Sequence, residues 1–172
     1  MAREELLSAL RILKRSRSLE FAGVSLHIGS QITQLKPLAE AFEKTRSLIE
    51  LLQRKHRLAF AHVDVGGGLG VRYTSEAPPL LDSYATLIRK NFGDLAGTVI
   101  WLEPGRFLTA NAGALLTVVL HRKKRGKQEF LILDAGMNDL LRPALYGAHH
   151  QLFPLETQKA GARKITYDVV GP

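Results

Sequence analysis

The chain has 172 residues, 45% hydrophobic and 23% charged, which supports a packed core in one domain of moderate size or in parts of two. It has no cysteine, which excludes disulfides, thiolate zinc sites and cysteine nucleophiles and fits a reducing compartment. No apolar run approaches the roughly 20 residues of a membrane span, and Met1-Ala2-Arg3-Glu4-Glu5 carries acids where a signal peptide is basic. The expectation is a cytoplasmic protein that does not engage a membrane.

Net charge is +8, and much of the excess lies in His121-Arg122-Lys123-Lys124-Arg125-Gly126-Lys127. A basic cluster can be the footprint of a phosphate backbone. This one falls between two strand-like segments, contains a glycine and has no interleaved aromatics to stack bases. It reads as a solvated hairpin tip, and nucleic acid is not an expected partner.

Residues Glu4 to Arg17 place Leu6, Leu7, Leu10 and Leu13 at helical spacing, with charges on the other face. Phe21 to Leu26 reads as a short strand ending in His27-Ile28-Gly29-Ser30-Gln31. After Pro37, Leu38, Ala41, Phe42, Leu48, Ile49 and Leu52 mark a second amphipathic helix. It closes in Arg54-Lys55-His56-Arg57, where cations suit the negative end of a helix dipole. Ala59 to Val65 is the next strand and runs into Gly66-Gly67-Gly68. Pro78-Pro79 precedes a third helix with Leu80, Tyr84, Leu87, Ile88 and Phe92 on one face. Thr98 to Leu102 is a third strand, ending at Glu103-Pro104-Gly105-Arg106.

The character changes after Arg106. Ala114 to Leu120 is a β-rich run, the basic tip follows, and Glu129 to Leu133 is its antiparallel partner. A turn-rich stretch, Asp134-Ala135-Gly136-Met137-Asn138-Asp139, leads to Leu140 through Gly147, and Ile165 to Val170 is a last strand. A boundary near residues 107–113 divides the chain into an α/β part, 1–110, and a β part, 111–172.

Three consecutive glycines cost backbone entropy, so a fold keeps them where a Cβ would be intolerable. Val63-Asp64-Val65-Gly66-Gly67-Gly68-Leu69-Gly70 is therefore a tight strand-to-helix turn or a phosphate cradle. Its setting favours the cradle. Alternating apolar strands and helices imply parallel strands with helical crossovers, the strands covered on both faces. All three strands end in polar or glycine-rich motifs, and ligands bind at the carboxyl ends of such strands. Elsewhere, His149-His150 is a poor metal pair, because adjacent residues seldom point to one site. His62 and Asp64 share one face of a strand and read as core polar groups rather than ligands.

Four motifs then occur in order: Ser25-Leu26-His27-Ile28-Gly29-Ser30-Gln31, Asp64 to Gly70, Glu103-Pro104-Gly105-Arg106, and Asp134 to Gly147. Together they resemble the diaminopimelate decarboxylase family, from about Phe21 onward. The resemblance implies a pyridoxal-phosphate enzyme that decarboxylates meso-diaminopimelate to lysine as a homodimer. It implies a (β/α)8 barrel followed by a β domain, of which this chain would cover about the last three β/α units and the start of an antiparallel β domain. Three strands fall short of the roughly eight that close a barrel, so the sequence reads as a central slice.

The resemblance also assigns roles. The backbone of Gly66, Gly67 and Gly68 would hold the cofactor phosphate, with Ser30, Gly105 and Arg106 beside it. His27 would stack on the ring, and Glu103 would face the pyridine nitrogen; these two are the catalytic assignments. Arg142 and Tyr146, with Arg106, would grip a substrate carboxylate, a task that suits a guanidinium fork. No metal is implied. The family's cofactor-holding lysine, a Cys-Glu-Ser-type motif that crosses its dimer and a later tyrosine have no counterpart here, so the 172-residue chain alone is expected to be inactive. Sibling enzymes acting on ornithine, arginine or carboxynorspermidine, or a non-catalytic descendant of the fold, are the alternatives.

Overall fold

The computed structural model describes residues 3–156, 161 and 165–171, the side chains of Arg3, Glu4 and Leu7 excepted. The chain divides into two compact units, Met1–Arg72 with Glu76–Asn111, and Tyr73–Ser75 with Ala112–Pro172.

The first unit is built on a parallel sheet of β1 (Gly23–Ser25), β2 (His62–Gly67) and β3 (Val99–Glu103), in the order β1-β2-β3. Helix α1 (Arg3–Arg15) precedes it, α2 (Leu35–His56) joins β1 to β2, and α3 (Leu81–Phe92) joins β2 to β3. These are the helical crossovers that parallel neighbours require. A short helix, α4 (Gly105–Thr109), follows β3.

The helical periodicities read from the sequence become the core. Leu38, Phe42, Ile49 and Leu52 of α2 and Tyr84, Ile88 and Phe92 of α3 are buried with Leu10, Val63 and Val65. Fully burying one such side chain stabilises by roughly 1.5–3 kcal/mol, so this interface dominates the unit. The rings of Phe42 and Phe92 meet edge to face at 5.5 Å. Leu6 and Leu13 pack against the cluster, whereas the side chain of Leu7 lies outside the described residues. Leu80 departs from the expected stripe: it sits at the N-cap of α3 and is 75% exposed.

A guanidinium fork ties α2 to the end of α3. Arg46 donates to both carboxylate oxygens of Asp94, to Glu50 and to the Asn91 carbonyl. The Arg46 fork lowers the Asp94 pKa and is itself held protonated by its two acidic partners. Helix α2 ends in the basic turn expected of it, on Arg57 in the left-handed region at φ 56. The Arg57 and Leu58 amides donate to the carbonyls of Gln53 and Leu52, and Leu58 packs against the core. The Arg57–Gln53 bond is that of an αL cap, whose left-handed position glycine usually fills.

Of the three strands only β2 is buried. β3 is an edge, with Val99 58%, Trp101 51% and Leu102 45% exposed. The expectation of strands covered on both faces therefore fails for β1 and β3. Register puts Gly23, Ser25, His62, Asp64, Val99 and Trp101 on one face and Val24, Val63 and Ile100 on the helix-covered one. His62 stacks on Trp101 with centroids 3.9 Å apart and planes 7° from parallel, which makes it a packing group rather than a ligand.

The second unit carries β4 (Val119–Arg125), β5 (Gln128–Leu133), β6 (Asp168–Val170) and the short helix α5 (Arg142–Tyr146). β4 and β5 pair antiparallel through Gly126-Lys127, with Gly126 at φ 60, as a tight hairpin demands. The basic run is mostly strand rather than tip: Arg122 and Lys124 reach Glu129 on β5 at 3.2 and 3.6 Å. β6 pairs parallel with β5, so the sheet is mixed where an antiparallel one is expected. A two-residue turn forces β4 and β5 antiparallel, but the long connection from Leu133 to Asp168 imposes no such direction.

Two measurable consequences arise from this packing. Arg57→Gly should raise stability by about 0.5–1 kcal/mol, because glycine adopts the left-handed cap without a Cβ penalty; urea titration reads it. The uncovered edge and apolar surface of β3 should make the chain self-associate. A monodisperse monomer by light scattering would count against that.

Candidate functional site

The carboxyl ends of β1, β2 and β3 are locked together by their backbones. Asp64, 7% exposed, accepts the Gly66 amide at 2.8 Å and the Ser25 hydroxyl at 3.2 Å. Between Asp64 and Gly67 the pairing with β3 slips, Asp64 facing Trp101 and Gly67 facing Glu103, so β2 carries one extra residue. This is a β-bulge, and Gly66 at φ 72 takes its left-handed position. The glycines belong to the strand and its bulge rather than to a free turn.

Neighbouring main chain is what demands glycine here. A Cβ on Gly66 would overlap the Leu26 carbonyl oxygen, one on Gly67 the Glu103 carbonyl oxygen, and one on Gly68 the Gly29 carbonyl oxygen. Backbone from both neighbouring strand ends thus occupies the space that side chains would need. Open ground lies at Gly29 and Gly105, where a Cβ would meet nothing within 4 Å.

The polar residues of the first unit gather on this rim. His27 is exposed, and its Nδ1 accepts the Gly67 amide at 3.4 Å. An Nδ1 acceptor leaves the proton of the neutral ring on Nε2. Ser30 lies exposed in the same loop. Glu103, the last residue of β3, is exposed opposite Gly67. Gly105 and Arg106 open α4, and Arg106 Nη1 donates to Gln31 Oε1 at 3.4 Å.

Two residues organise the rim: Asp64, which the sequence placed only as a core polar group, and Gln31, to which it gave no role. Asp64 pins the bulge, and an aspartate two residues before a glycine was its available signal, since such side chains bond the backbone two residues on. Gln31, at φ 61, clamps Val71: its Nε2 donates to the Val71 carbonyl at 2.6 Å, and its Oε1 accepts the Val71 amide at 3.2 Å. Nothing in the sequence signals that clamp. Behind the rim, burial and then the charge of Asp64 push the Tyr84 hydroxyl pKa up.

Arg142 and Tyr146 belong to the second unit, on α5, where the Arg142 guanidinium lies 5.4 Å from the Tyr146 ring centroid. In the preceding segment Asp134 accepts from the Thr117 hydroxyl and the Val118 amide, bonds that hold its carboxyl below the usual range. His150, 6.3 Å from the Tyr73 ring, has a buried Nε2 without a hydrogen-bond partner among the described residues. Among the described residues no three His, Asp or Glu gather where they could hold a metal ion, and no helix is long and apolar enough to cross a membrane.

Residues 1–110 match the pyridoxal-binding domain of the pyridoxal-dependent decarboxylases. The chain belongs to this family. It is 46% identical over 154 residues to the diaminopimelate decarboxylase of Pseudomonas aeruginosa, covering 90% of this chain and 36% of that one. The crystal structure of diaminopimelate decarboxylase from Helicobacter pylori complexed with L-lysine superposes with a TM-score of 0.86 at 39% identity, covering 98% of this chain and 41% of that one. The lysine/ornithine decarboxylase of Vibrio vulnificus complexed with cadaverine gives 0.80 at 28% identity, covering 98% and 45%. The chain thus spans about two fifths of the length of these decarboxylases.

The family's cofactor is pyridoxal phosphate, and the residues of the rim fit it. There is open backbone at Gly29 and Gly105 for an anion, a cation at Arg106, an imidazole at His27 and an exposed carboxylate at Glu103.

Because backbone alone fills the space beside Gly67, Gly67→Ala should cost stability on the order of 2–4 kcal/mol with or without a ligand. Thermal melting with and without pyridoxal phosphate checks this. A loss seen only in the presence of cofactor would refute the packing account.

Proposed function

We propose that this sequence supplies the phosphate, ring and substrate-carboxylate contacts of a diaminopimelate decarboxylase, which converts meso-diaminopimelate to lysine. One observation carries the reading. His27, Gly66 to Gly68, Glu103 and Gly105-Arg106 stand at one end of one parallel sheet, joined by the His27–Gly67 and Gln31–Arg106 contacts. The relatives named for diaminopimelate support this substrate, at 39–46% identity, against 28% for the lysine/ornithine enzyme. The reading includes a barrel completed by further strands, domains of 1–110 and 111–172, and a homodimeric cytoplasmic enzyme.

In this reading Ser30, Gly105 and Arg106, with the Gly68 end of the glycine run, hold the phosphate dianion, because the Gly66 and Gly67 amides expected to do so already donate to Asp64 and His27. Pyridoxal phosphate, when bound, supplies an electron sink for the pair left as carbon dioxide departs. Glu103 holds a proton on the ring nitrogen, since a carboxylate beside a basic nitrogen favours its charged form. His27 covers the ring face, and the Gly67 amide on its Nδ1 fixes its orientation. Arg142 and Tyr146 bind a carboxylate of the substrate. A second carboxylate on the substrate is what distinguishes diaminopimelate from ornithine, and a cation answers it.

In the full reading frame that carries this sequence, Glu103→Gln should lower kcat about 10²- to 10³-fold with little change in KM, as loss of a transition-state interaction does. Lysine release from meso-diaminopimelate measures it, with ornithine as the competing substrate. Unchanged kcat, or faster turnover of ornithine, would overturn the assignment. The 172-residue chain assayed alone should release no lysine.

A further inference from the structure

Gln31 occupies a position that no side chain takes freely. Its φ of 61 lies in the left-handed region, where a long residue without β-polar atoms carries strain. Glycine stands two residues before it, at Gly29, yet the chain places glutamine at this left-handed position. The side chain offsets that cost by joining three segments. Its amide makes the paired contacts of a β-ladder with Val71, donating at 2.6 Å and accepting at 3.2 Å. The adjoining backbone continues the same ladder, with Ile32 donating to Gly68 at 2.8 Å and Gly70 to Ile32 at 3.0 Å. The loop after β1 is thereby zipped onto the loop after β2.

The same Oε1 that accepts the Val71 amide also accepts Arg106 Nη1 from the first turn of α4. At 3.4 Å this is a long contact, so it aims the guanidinium without consuming it. Among the described residues Gln31 is the one side-chain partner that Arg106 has. A guanidinium carries five donors, so most remain for an anion. The orientation of the amide is itself set: only with Nε2 toward the Val71 carbonyl does Oε1 face both the Val71 amide and Arg106.

We propose that Gln31 is a positioning residue that pre-aims Arg106 at the cofactor phosphate, using Val71 as its anchor. The proposal rests on the reading of Arg106 as a phosphate ligand. Pre-aiming removes the entropy that a mobile arginine would lose on binding. The effect should be specific to the phosphate, because Gln31 touches no group assigned to the ring.

The test measures binding of pyridoxal phosphate and of phosphate-free pyridoxal to the chain by calorimetry. Gln31→Gly keeps the left-handed backbone without strain and deletes the clamp. It should weaken pyridoxal phosphate about tenfold, the worth of one hydrogen bond to a charged group, and leave pyridoxal unchanged. Arg106→Ala should show the same selectivity, and the double variant should be no weaker than Arg106→Ala alone. Gln31→Glu, which keeps the shape, should also weaken the phosphate compound by neutralising Arg106. Exchange of the Val71 amide, which needs no ligand, should accelerate in Gln31→Gly.

Failures separate cleanly. If Arg106→Ala matters but Gln31→Gly does not, or if the double variant is additive, the positioning role is wrong and the function stands. Equal loss of both ligands marks a merely structural residue and overturns the proposal. An unchanged Val71 exchange rate removes the clamp itself. If neither ligand's affinity responds to Arg106→Ala, or neither binds, the phosphate assignment fails and takes the proposal with it, whatever Val71 reports.

Discussion

The first unit depends on the close approach of three backbones at the end of its sheet. Carbonyls of Leu26, Gly29 and Glu103 sit where side chains at 66, 67 and 68 would stand. Each is a contact between main chains, which cannot swing away as a side chain can. The glycine run is therefore a structural necessity before it is anything else, and the bulge that Asp64 pins is its geometric result. A bulge bends its strand and re-aims the residues beyond it. Here it turns Gly68 to Gly70 toward the loop after β1.

From that constraint the polar residues receive their places. Gly67 can offer its amide to His27 because it stands between the loops after β1 and β3. Gln31 can reach Val71 because Gly68 and Gly70 bring the two loops into a ladder. Arg106 then meets Gln31 from the start of α4. A rim of separately mobile loops becomes a single hydrogen-bonded assembly, the preorganisation that binding a charged ligand rewards.

The helices supply the rigidity beneath. Buried α2 and α3 residues fix β2 from the helix side, and the Arg46 fork to Asp94 couples their ends. The opposite face is polar and aromatic, with the Ser25–Asp64 bond and the His62–Trp101 stack in place of aliphatic packing. A parallel sheet with one face of this kind is unusual, since parallel sheets are normally covered on both sides. In the proposed barrel that face turns inward.

The order of elements, the helix stripes and the motif positions were legible in the sequence, because periodicity and turn chemistry are local properties. Leu38 to Leu52 and Tyr84 to Phe92 show the helical stripe on inspection, and the kinship carried by His27 to Gln31, Gly66 to Gly70 and Glu103 to Arg106 needs only their order. Other features were decided in three dimensions. The basic run became strand because Glu129 lies across from it, and β6 ran parallel because a long connection sets no direction. The glycine run at Gly66 to Gly68 shows the division most sharply. By itself the sequence determined that no side chain could stand there. Only the tertiary structure decided why: the excluding atoms are carbonyl oxygens of residues dozens of positions away, brought against the run by strand pairing.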